Sequence, residues 1–356
     1  SIIDGVSSLN TNTGSHTQAL IQDVQAISSQ LNKIGDTLAG AADQSEDDNN
    51  LFEDVSDSDT DGDTEGKVFN CMNLGEVNAD INAGGITGAM ARENDLDPED
   101  DTKTSGSSSL NVTYKTRIVV RDCINKGAVN VKKKGGGGIV GSMDMGSVLQ
   151  SYNFGNLESD DADYVGGIAG QSKSIIRRSA AKCRLSGDNY VGGIVGSSAG
   201  SELKDVTNKA DVSSALVKKT TGKNDPTGFD HYAAGNVGGI VGRAEDSNIT
   251  NANNVESNIR GAMNVGGIAG YFGSTDATNK KDYRILNAIN NGGDILATGG
   301  IKKDGSFTQE ITHKETYITG NIGGIAGYLY GVPVRIEAGG NRGDVHTAAD
   351  TSKRTS

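Results

Sequence analysis

The chain has 356 residues, with 51 glycines, three prolines, no tryptophan and only 4% aromatic residues. Large globular enzymes usually build their cores around bulky aromatic side chains, so this composition does not favour one. The formal net charge of −13 is concentrated in two acidic stretches, residues 43 to 66 and 92 to 101. The rest of the chain is nearly neutral and has no basic stripe, so nucleic acid is not an expected partner.

Residues 1 to 40 are predicted to form an amphipathic helix, because apolar residues recur at alternating spacings of four and three. The apolar seam consists of Leu20, Val24, Ile27, Leu31, Ile34 and Leu38. Two interpretations stay open. The helix either caps the domain that follows it or forms the end of a coiled-coil stalk.

Residues 41 to 66 are predicted to form a disordered acidic linker, because like charges repel one another. Within it, Asp57, Asp59 and Asp61 precede Gly62 in the D-x-D-x-D-G pattern that opens a calcium loop. Val68 stands where such a loop would supply its bidentate glutamate. The three aspartates are the single metal candidate in the sequence, and no organic cofactor is expected.

Residues 67 to 348 contain a degenerate repeat. A Gly-Gly-Ile-x-Gly cassette recurs at spacings of 53, 29, 26, 46, 28 and 57 residues, which indicates a period of 26 to 29 interrupted by three insertions. The insertions cover residues 91 to 114, 213 to 236 and 298 to 318. The seven cassettes begin at Gly84, Gly137, Gly166, Gly192, Gly238, Gly266 and Gly323.

A second cassette, of the form Asn-x-Gly-x-Val, lies between the first ones. Clear copies contain Asn73, Asn125, Asn153, Asn291 and Asn341. Short alternating runs between the cassettes are typical of half-buried strands, and Gly and Asn suit sharp corners. The sequence therefore predicts an all-β fold. We expect a parallel β-helix of seven or eight rungs, right-handed by analogy, with three strands per rung, inward-pointing isoleucines and a disordered tail at 349 to 356.

The repeat resembles the GLUG family, whose units read approximately V-G-G-L-V-G with an S-Y-A-T-G-N-V phrase. Val165 to Gly170 and Ser151 to Leu157 carry this resemblance most clearly, and it extends over residues 69 to 346. Such repeats occur in bacterial surface and adhesin-like proteins and beside the catalytic domain of streptococcal immunoglobulin A metallopeptidases. The resemblance implies a secreted or cell-surface location.

Several residues that suggest chemistry have a structural explanation. Cys71 and Cys123 share one repeat position, so we expect them to be inert core residues, and Cys183 adds no CxxC spacing. The Arg342-Gly343-Asp344 tripeptide resembles a cell-adhesion signal, but Gly343 is the structural glycine of the second cassette. The four histidines, His16, His231, His313 and His346, show no metal-ligand spacing.

The expected function is that of a non-catalytic structural or adhesive module, a rigid column that presents loops to a host or bacterial surface glycan or protein. One alternative is a spacer or substrate-docking domain of a larger secreted enzyme. Another is a polysaccharide-active β-helix enzyme, which would need converging carboxylates that the repeat does not align. No apolar run is long enough to span a membrane, and the start at Ser1 indicates a fragment or processed product.

Overall fold

The computed structural model describes residues 52–60, 62–91, 114–159, 161–214, 229–230, 235–262, 264–275, 281–297, 301–302, 321–331 and 334–347. The chain divides into two compact units, one formed by residues 1–53 and 93–115 and the other by residues 54–92 and 116–356. The predicted N-terminal helix, the tail from residue 349 and Asp61 lie outside the described residues. The larger unit contains the repeats.

The larger unit is a parallel β-helix, which confirms the predicted fold. From rung 3 onward its chain passes through five parallel sheets in a fixed order and then returns to sheet 1 one rung further on. In rungs 1 and 2 a single long strand, Val77–Gly84 or Val129–Gly137, follows sheet 2, and sheet 3 has no strand. Seven rungs are completed and an eighth ends in sheet 3, as the cassette count predicted. The expectation of three strands per rung is wrong, because each cassette bends the chain and a rung is divided into as many as five short strands. The rungs begin in sheet 1, at Lys67, Val119, Ser147, Ile175, Glu202, Asn248, Tyr283 and Val334.

Sheets 1 to 3 hold the first part of each rung. Sheet 1 consists of Lys67–Phe69, Val119–Arg121, Ser147–Leu149, Ile175–Arg177, Glu202–Lys204, Asn248–Thr250, Tyr283–Leu286 and Val334–Glu337. Sheet 2 consists of Met72–Asn73, Ile124–Asn125, Tyr152–Asn153, Ala180–Ala181, Thr207–Asn208, Asn253–Val255, Ile289–Asn291 and Gly340–Asn341. Sheet 3 consists of Leu157–Glu158, Arg184–Gly187, Asp211–Ser214, Ile259–Gly261, Asp294–Ala297 and Asp344–Thr347.

Sheets 4 and 5 complete each rung. Sheet 4 consists of Val77–Gly84, Val129–Gly137, Asp163–Gly166, Val191–Gly192, Val237–Gly238, Asn264–Gly266 and Asn321–Gly323. Sheet 5 consists of Thr87–Met90, Val140–Met143, Ala169–Ser172, Val195–Ala199, Val241–Glu245, Ala269–Gly273 and Ala326–Tyr330. Phe52–Asp54 with Tyr114–Thr116, and Phe229–Asp230 with Ile301–Lys302, form two separate two-stranded sheets. Ser56–Ser58 is a 3-10 helix.

The corner between sheets 1 and 2 has the left-handed backbone conformation in every rung. Polar residues hold most of these positions, with φ between 48° and 55°, and an alanine closes the last rung. The column consists of Asn70, Asp122, Gln150, Arg178, Asp205, Asn251, Asn287 and Ala338. Short polar side chains accept this conformation most readily, which explains why Asn and Asp hold five of the eight positions.

The isoleucines of the Gly-Gly-Ile cassettes form a column inside the β-helix, as the sequence predicted. They are completely buried in the inner rungs and partly exposed in rungs 1 and 7, at Ile86 and Ile325. The backbone N–H of Ile168 donates to the carbonyl of Ile194, and that of Ile194 to Ile240, both at 2.9 Å. The repeat therefore aligns residues that lie up to 57 positions apart in the chain.

The asparagines of the second cassette form a ladder, here called the asparagine ladder, which is buried in the inner rungs and more exposed in rungs 1 and 8. Its members are Asn73, Asn125, Asn153, Asn208, Asn254, Asn290 and Asn341. In rung 7 the ladder residue is Asn290 and not the predicted Asn291, which is exposed, because the chain has one more residue between the asparagine and the glycine there. The Asn125 amide donates to the Asn153 side-chain oxygen at 2.8 Å and to the Gly127 carbonyl at 2.9 Å, while its own oxygen accepts from Asn73 and from Gly127 N–H. All the hydrogen-bonding capacity of this buried amide is thereby used, as a dry interior requires.

The two cassettes meet inside the β-helix. The second glycine of a Gly-Gly pair lies against the ladder asparagine of the next rung, with no room for a side chain. A Cβ on Gly193 would lie 2.2 Å from Cγ of Asn208, and one on Gly239 would lie 2.5 Å from Cγ of Asn254. The buried apolar side chains accordingly form two clusters, one lined by sheets 1, 2 and 5 and the other by sheets 3 and 4.

The asparagine ladder is interrupted in rung 4. Ala181 occupies the ladder position there, in register with Asn153 on one side and Asn208 on the other. The thiol of Cys183 partly fills the gap and accepts a hydrogen bond from Nδ2 of Asn153 at 3.4 Å. Burial raises the pKa of Cys183 to about 12, so this thiol stays protonated and unreactive.

Candidate functional site

Two of the three insertions leave the β-helix at a single corner, the step from sheet 3 to sheet 4, here called the insertion corner. In rung 6 this step is short, since only residues 262 and 263 separate Gly261 from Asn264. In rung 5 residues 215–236 separate Ser214 from Val237, and in rung 7 residues 298–320 separate Ala297 from Asn321. The two insertions therefore flank a rung that has almost none. The insertion after Met90 falls at a different corner, between sheets 5 and 1.

The two insertions at this corner pair with each other. Phe229 is the antiparallel partner of Lys302, and Asp230 is the partner of Ile301. This is the one antiparallel pairing whose register is defined in the described part of the chain. Because the pairing joins segments that leave rungs 5 and 7, it links the two insertions across the intervening rung.

A second asparagine ladder, here called the corner ladder, holds the points where the insertions return to sheet 4. Oδ1 of Asn189 accepts from Nδ2 of Asn236 at 3.0 Å, and Nδ2 of Asn264 donates to Asn236 at 2.7 Å. Asn321 then donates to Asn264 at 2.8 Å. Asn236 and Asn321 lie directly at the returns of the two insertions, so hydrogen bonds to unbroken rungs fix both of them.

A stack of aromatic and cationic side chains lies beside the corner ladder on the outer surface. Tyr164 and Tyr190 are parallel, with ring centroids 5.0 Å apart, and Tyr271 and Tyr328 are stacked at 5.6 Å. The Arg243 guanidinium lies between the two pairs, 5.8 Å from the Tyr190 ring and 5.4 Å from the Tyr271 ring. These five residues, the tyrosine-arginine stack, extend through rungs 3 to 7.

The tyrosine-arginine stack is electrically balanced and rich in hydrogen-bond donors. Arg243 forms an ion pair with Glu245 at 2.8 Å. Burial, followed by the nearby Glu245 carboxylate, raises the pKa of Tyr271, and burial raises the pKa of Tyr164. The Tyr164 and Tyr271 phenols therefore stay protonated at neutral pH and keep their capacity to donate hydrogen bonds.

Sequence reasoning missed this stack. Tyr164 and Tyr190 precede the first cassette glycine by two residues, whereas Arg243, Tyr271 and Tyr328 follow it by five. The shared five-residue offset was a usable signal for the second group. To predict that the two sets of residues contact each other, one must know that the turn before sheet 4 lies beside sheet 5 of the following rung. A Cβ on Gly242 would contact the backbone of Tyr190 at 2.6 Å, which shows this neighbourhood.

Two of the three calcium candidates form ion pairs with basic residues. Asp59 has a fully buried side chain that contacts Lys67 at 3.1 Å and Arg121 at 3.2 Å. Asp57 pairs with Arg177. Asp61 lies outside the described residues, and calcium binding by the three aspartates stays a prediction. Across the part of the chain with defined placement, no three His, Cys, Asp or Glu side chains are grouped to hold a metal ion.

The end of the predicted linker is ordered, so the expectation of disorder is wrong for residues 54–60 and 62–66. Asp54 accepts from the Gly146 N–H at 2.7 Å, and Ser56 is completely buried. Hydrogen bonds from Thr60 and the side chain of Arg117 lower the pKa of Asp63 to about 2. The like charges that suggested repulsion are neutralised by bases that follow Gly66 in sequence, which composition within the linker could not reveal.

The other candidate residues lie in structural positions. Gly343 N–H donates to Asn341 at 3.3 Å, and the Arg342 side chain donates to Asn291 at 3.2 Å, so the tripeptide is part of a rung-8 corner. Among acids at exposed strand positions, Asp211 accepts from Asn258 at 2.9 Å, and Asn258 in turn accepts from the Asp294 N–H. His346 lies in the last strand of sheet 3; the other histidines fall outside the described residues.

Comparison of the chain with models of protein families, with curated proteins and with solved structures gave no match. None of the described helical structure is long and apolar enough to cross a membrane. The geometry of the β-helix and its insertion corner is therefore the basis for a functional assignment.

Proposed function

We propose that this chain is a non-catalytic adhesive module, a rigid β-helical column that presents its two paired insertions to a surface glycan or protein. The observation that carries the proposal is the insertion corner. Two insertions leave rungs 5 and 7 at the same corner, pair through Phe229–Asp230 and Ile301–Lys302, and return to a fixed asparagine ladder. Binding residues are commonly placed on loops held by a rigid scaffold, and this arrangement fits that principle.

The β-helix itself supports the scaffold role. Its asparagine ladder is unbroken from rung 5 to rung 8, the part of the β-helix that carries the two insertions, and rung 6 needs no insertion to close. A long insertion lowers the free energy of unfolding, because a longer loop loses more entropy on closure. Rung 6 shows that this corner closes without an insertion, so a role in binding would explain why rungs 5 and 7 carry one. The resemblance to GLUG repeats supports a secreted or cell-surface location for such a module.

Removing both insertions should abolish binding and leave the column folded. In the test variant, the dipeptide Ala-Met replaces each of the two insertions, residues 215–235 and residues 298–320. This dipeptide stands at positions 262 and 263, between sheets 3 and 4 of rung 6. The purified full chain and the variant are applied to an array of host and bacterial glycans and to an array of extracellular-matrix proteins. We expect the full chain to bind at least one probe and the variant to lose at least about tenfold in affinity, or about 1.4 kcal/mol.

Two variants that each lack one insertion serve as matched controls. Because the insertions pair with each other, each single deletion should weaken binding as well. The far-ultraviolet circular dichroism of all variants should retain the β signal of the full chain. Equal binding by the loopless column would contradict the proposal. Failure of the full chain to bind either array would also contradict adhesion and favour a spacer role.

A further inference from the structure

The structure assigns Cys71 and Cys123 as a redox-active pair, which a small disulfide such as oxidised glutathione converts to a disulfide bond joining rung 1 to rung 2. This modification site is independent of the proposed adhesive function. It also revises the expectation that both cysteines are inert, since only one of them lies inside the core.

The two cysteines are direct neighbours on adjacent rungs. They immediately precede the paired residues Met72 and Ile124 of sheet 2, and the Ile124 N–H donates to the Cys71 carbonyl at 2.9 Å. In-register residues on adjacent parallel strands lie about 4.8 Å apart. That spacing falls within the range of about 4.4 to 6.8 Å between Cα atoms that a disulfide bond spans.

The thiols differ in access, which sets the order of the reaction. Cys71 is exposed because it lies in the terminal rung, whereas Cys123 is completely buried. Burial also raises the pKa of Cys123. Cys71 therefore reacts with the oxidant first, and Cys123 acts second, as the resolving thiol.

The exchange balances in two steps. The Cys71 thiolate attacks one sulfur of the small disulfide, forming a mixed disulfide and releasing one small thiol. The Cys123 thiolate then attacks the Cys71 sulfur, forming the protein disulfide and releasing the second small thiol. The two protein thiols lose two protons and two electrons in total, and the small disulfide is reduced to two thiols.

The next two positions of this column hold serine. Ser151 and Ser179 continue the column in rungs 3 and 4, and the Ser151 hydroxyl accepts from the Cys123 N–H at 3.3 Å. Serine substitutions at Cys71 and Cys123 should therefore fold. Cys183 is an internal control, because its buried thiol should stay reduced under the same conditions.

The test treats the folded full chain with excess oxidised glutathione and measures intact mass and tryptic peptides without reduction. We expect a loss of two hydrogens and a cross-linked pair of peptides, residues 68–92 joined to 122–126. The oxidised chain should also melt several degrees higher. Cys183→Ser should behave identically, and Cys71→Ser should form no cross-link.

Two results would overturn the inference. One is a chain whose three thiols all stay free after prolonged oxidation. The other is a stable glutathione adduct on Cys71 that Cys123 never resolves, which would mean that the two sulfurs cannot reach bonding geometry. A slower second step at lower pH is expected, since the Cys123 thiol must ionise to attack.

Discussion

Gly193→Ala is expected to prevent stable folding of the central rungs. A Cβ at this position would lie 2.1 Å from the Gly239 carbonyl oxygen and 2.2 Å from Cγ of Asn208. Neither neighbour can move freely, because Gly239 belongs to the next rung and Asn208 is part of the asparagine ladder. We expect a loss of about 4 kcal/mol or more in the free energy of unfolding, measured by urea titration of the circular dichroism signal.

Gly200→Ala is the matched control for this substitution. Gly200 lies in the same rung, and a Cβ there would meet nothing within 4 Å. Its φ of +71° makes alanine unfavourable by about 1 kcal/mol through backbone conformation alone. A Gly193→Ala protein as stable as the Gly200→Ala protein would contradict the close packing of the two cassettes.

Asn254→Asp should be the most damaging near-isosteric change in the asparagine ladder. Nδ2 of Asn254 donates to the Asn290 side-chain oxygen at 2.6 Å, and its oxygen accepts from Asn208 at 2.8 Å. An aspartate would place a buried carboxylate oxygen against another oxygen with no proton between them. We expect a loss of about 3 to 5 kcal/mol at pH 7, because the new charge is buried and one donor is lost.

The pH dependence distinguishes this effect from a simple packing defect. Burial should raise the pKa of the introduced carboxyl above its unfolded value, so the folded state binds the proton more tightly. The variant should therefore regain stability relative to the parent chain as pH falls towards about 4, and lose it as pH rises. Asn253→Asp, at the adjacent exposed position, should show little loss at either pH. A uniform loss at all pH values would contradict the ladder explanation.

The sequence alone predicted the β-helix because close packing between rungs restricts which residues can occupy the positions of the two cassettes. Only glycine fits where Gly193 and Gly239 contact the next rung. Only an amide side chain can both accept a hydrogen bond from the preceding rung and donate one to the following rung. These requirements recur in nearly every rung, so seven Gly-Gly-Ile cassettes predicted the rung number and the inward isoleucines. The positions of the insertions followed from the same spacings.

Features that depend on contacts between rungs could not be predicted in the same way. The five-strand division of rungs 3 to 7 depends on where bends fall between strands of two to five residues, which are too short for periodicity to resolve. Arg243 contacts Tyr271 because the two residues are in register in sheet 5, and it contacts Tyr190 because the turn before sheet 4 lies beside sheet 5 of the following rung. Asp59 is ordered by Lys67 and Arg121, residues that a local reading of the acidic linker leaves out.

Cross-linking across one rung tests the central claim, the stacking of repeats in register, most directly. In a background with all three cysteines changed to serine, Ser142→Cys is combined with Gln171→Cys, its sheet 5 partner on the next rung. A second protein combines Ser142→Cys with Ser197→Cys, two rungs away and therefore about 9.6 Å distant. The first pair should form a disulfide under mild oxidation, and the second should not, because a disulfide cannot bridge more than about 7 Å between Cα atoms. Equal cross-linking of both pairs, or a failure of the first pair alone, would contradict the account.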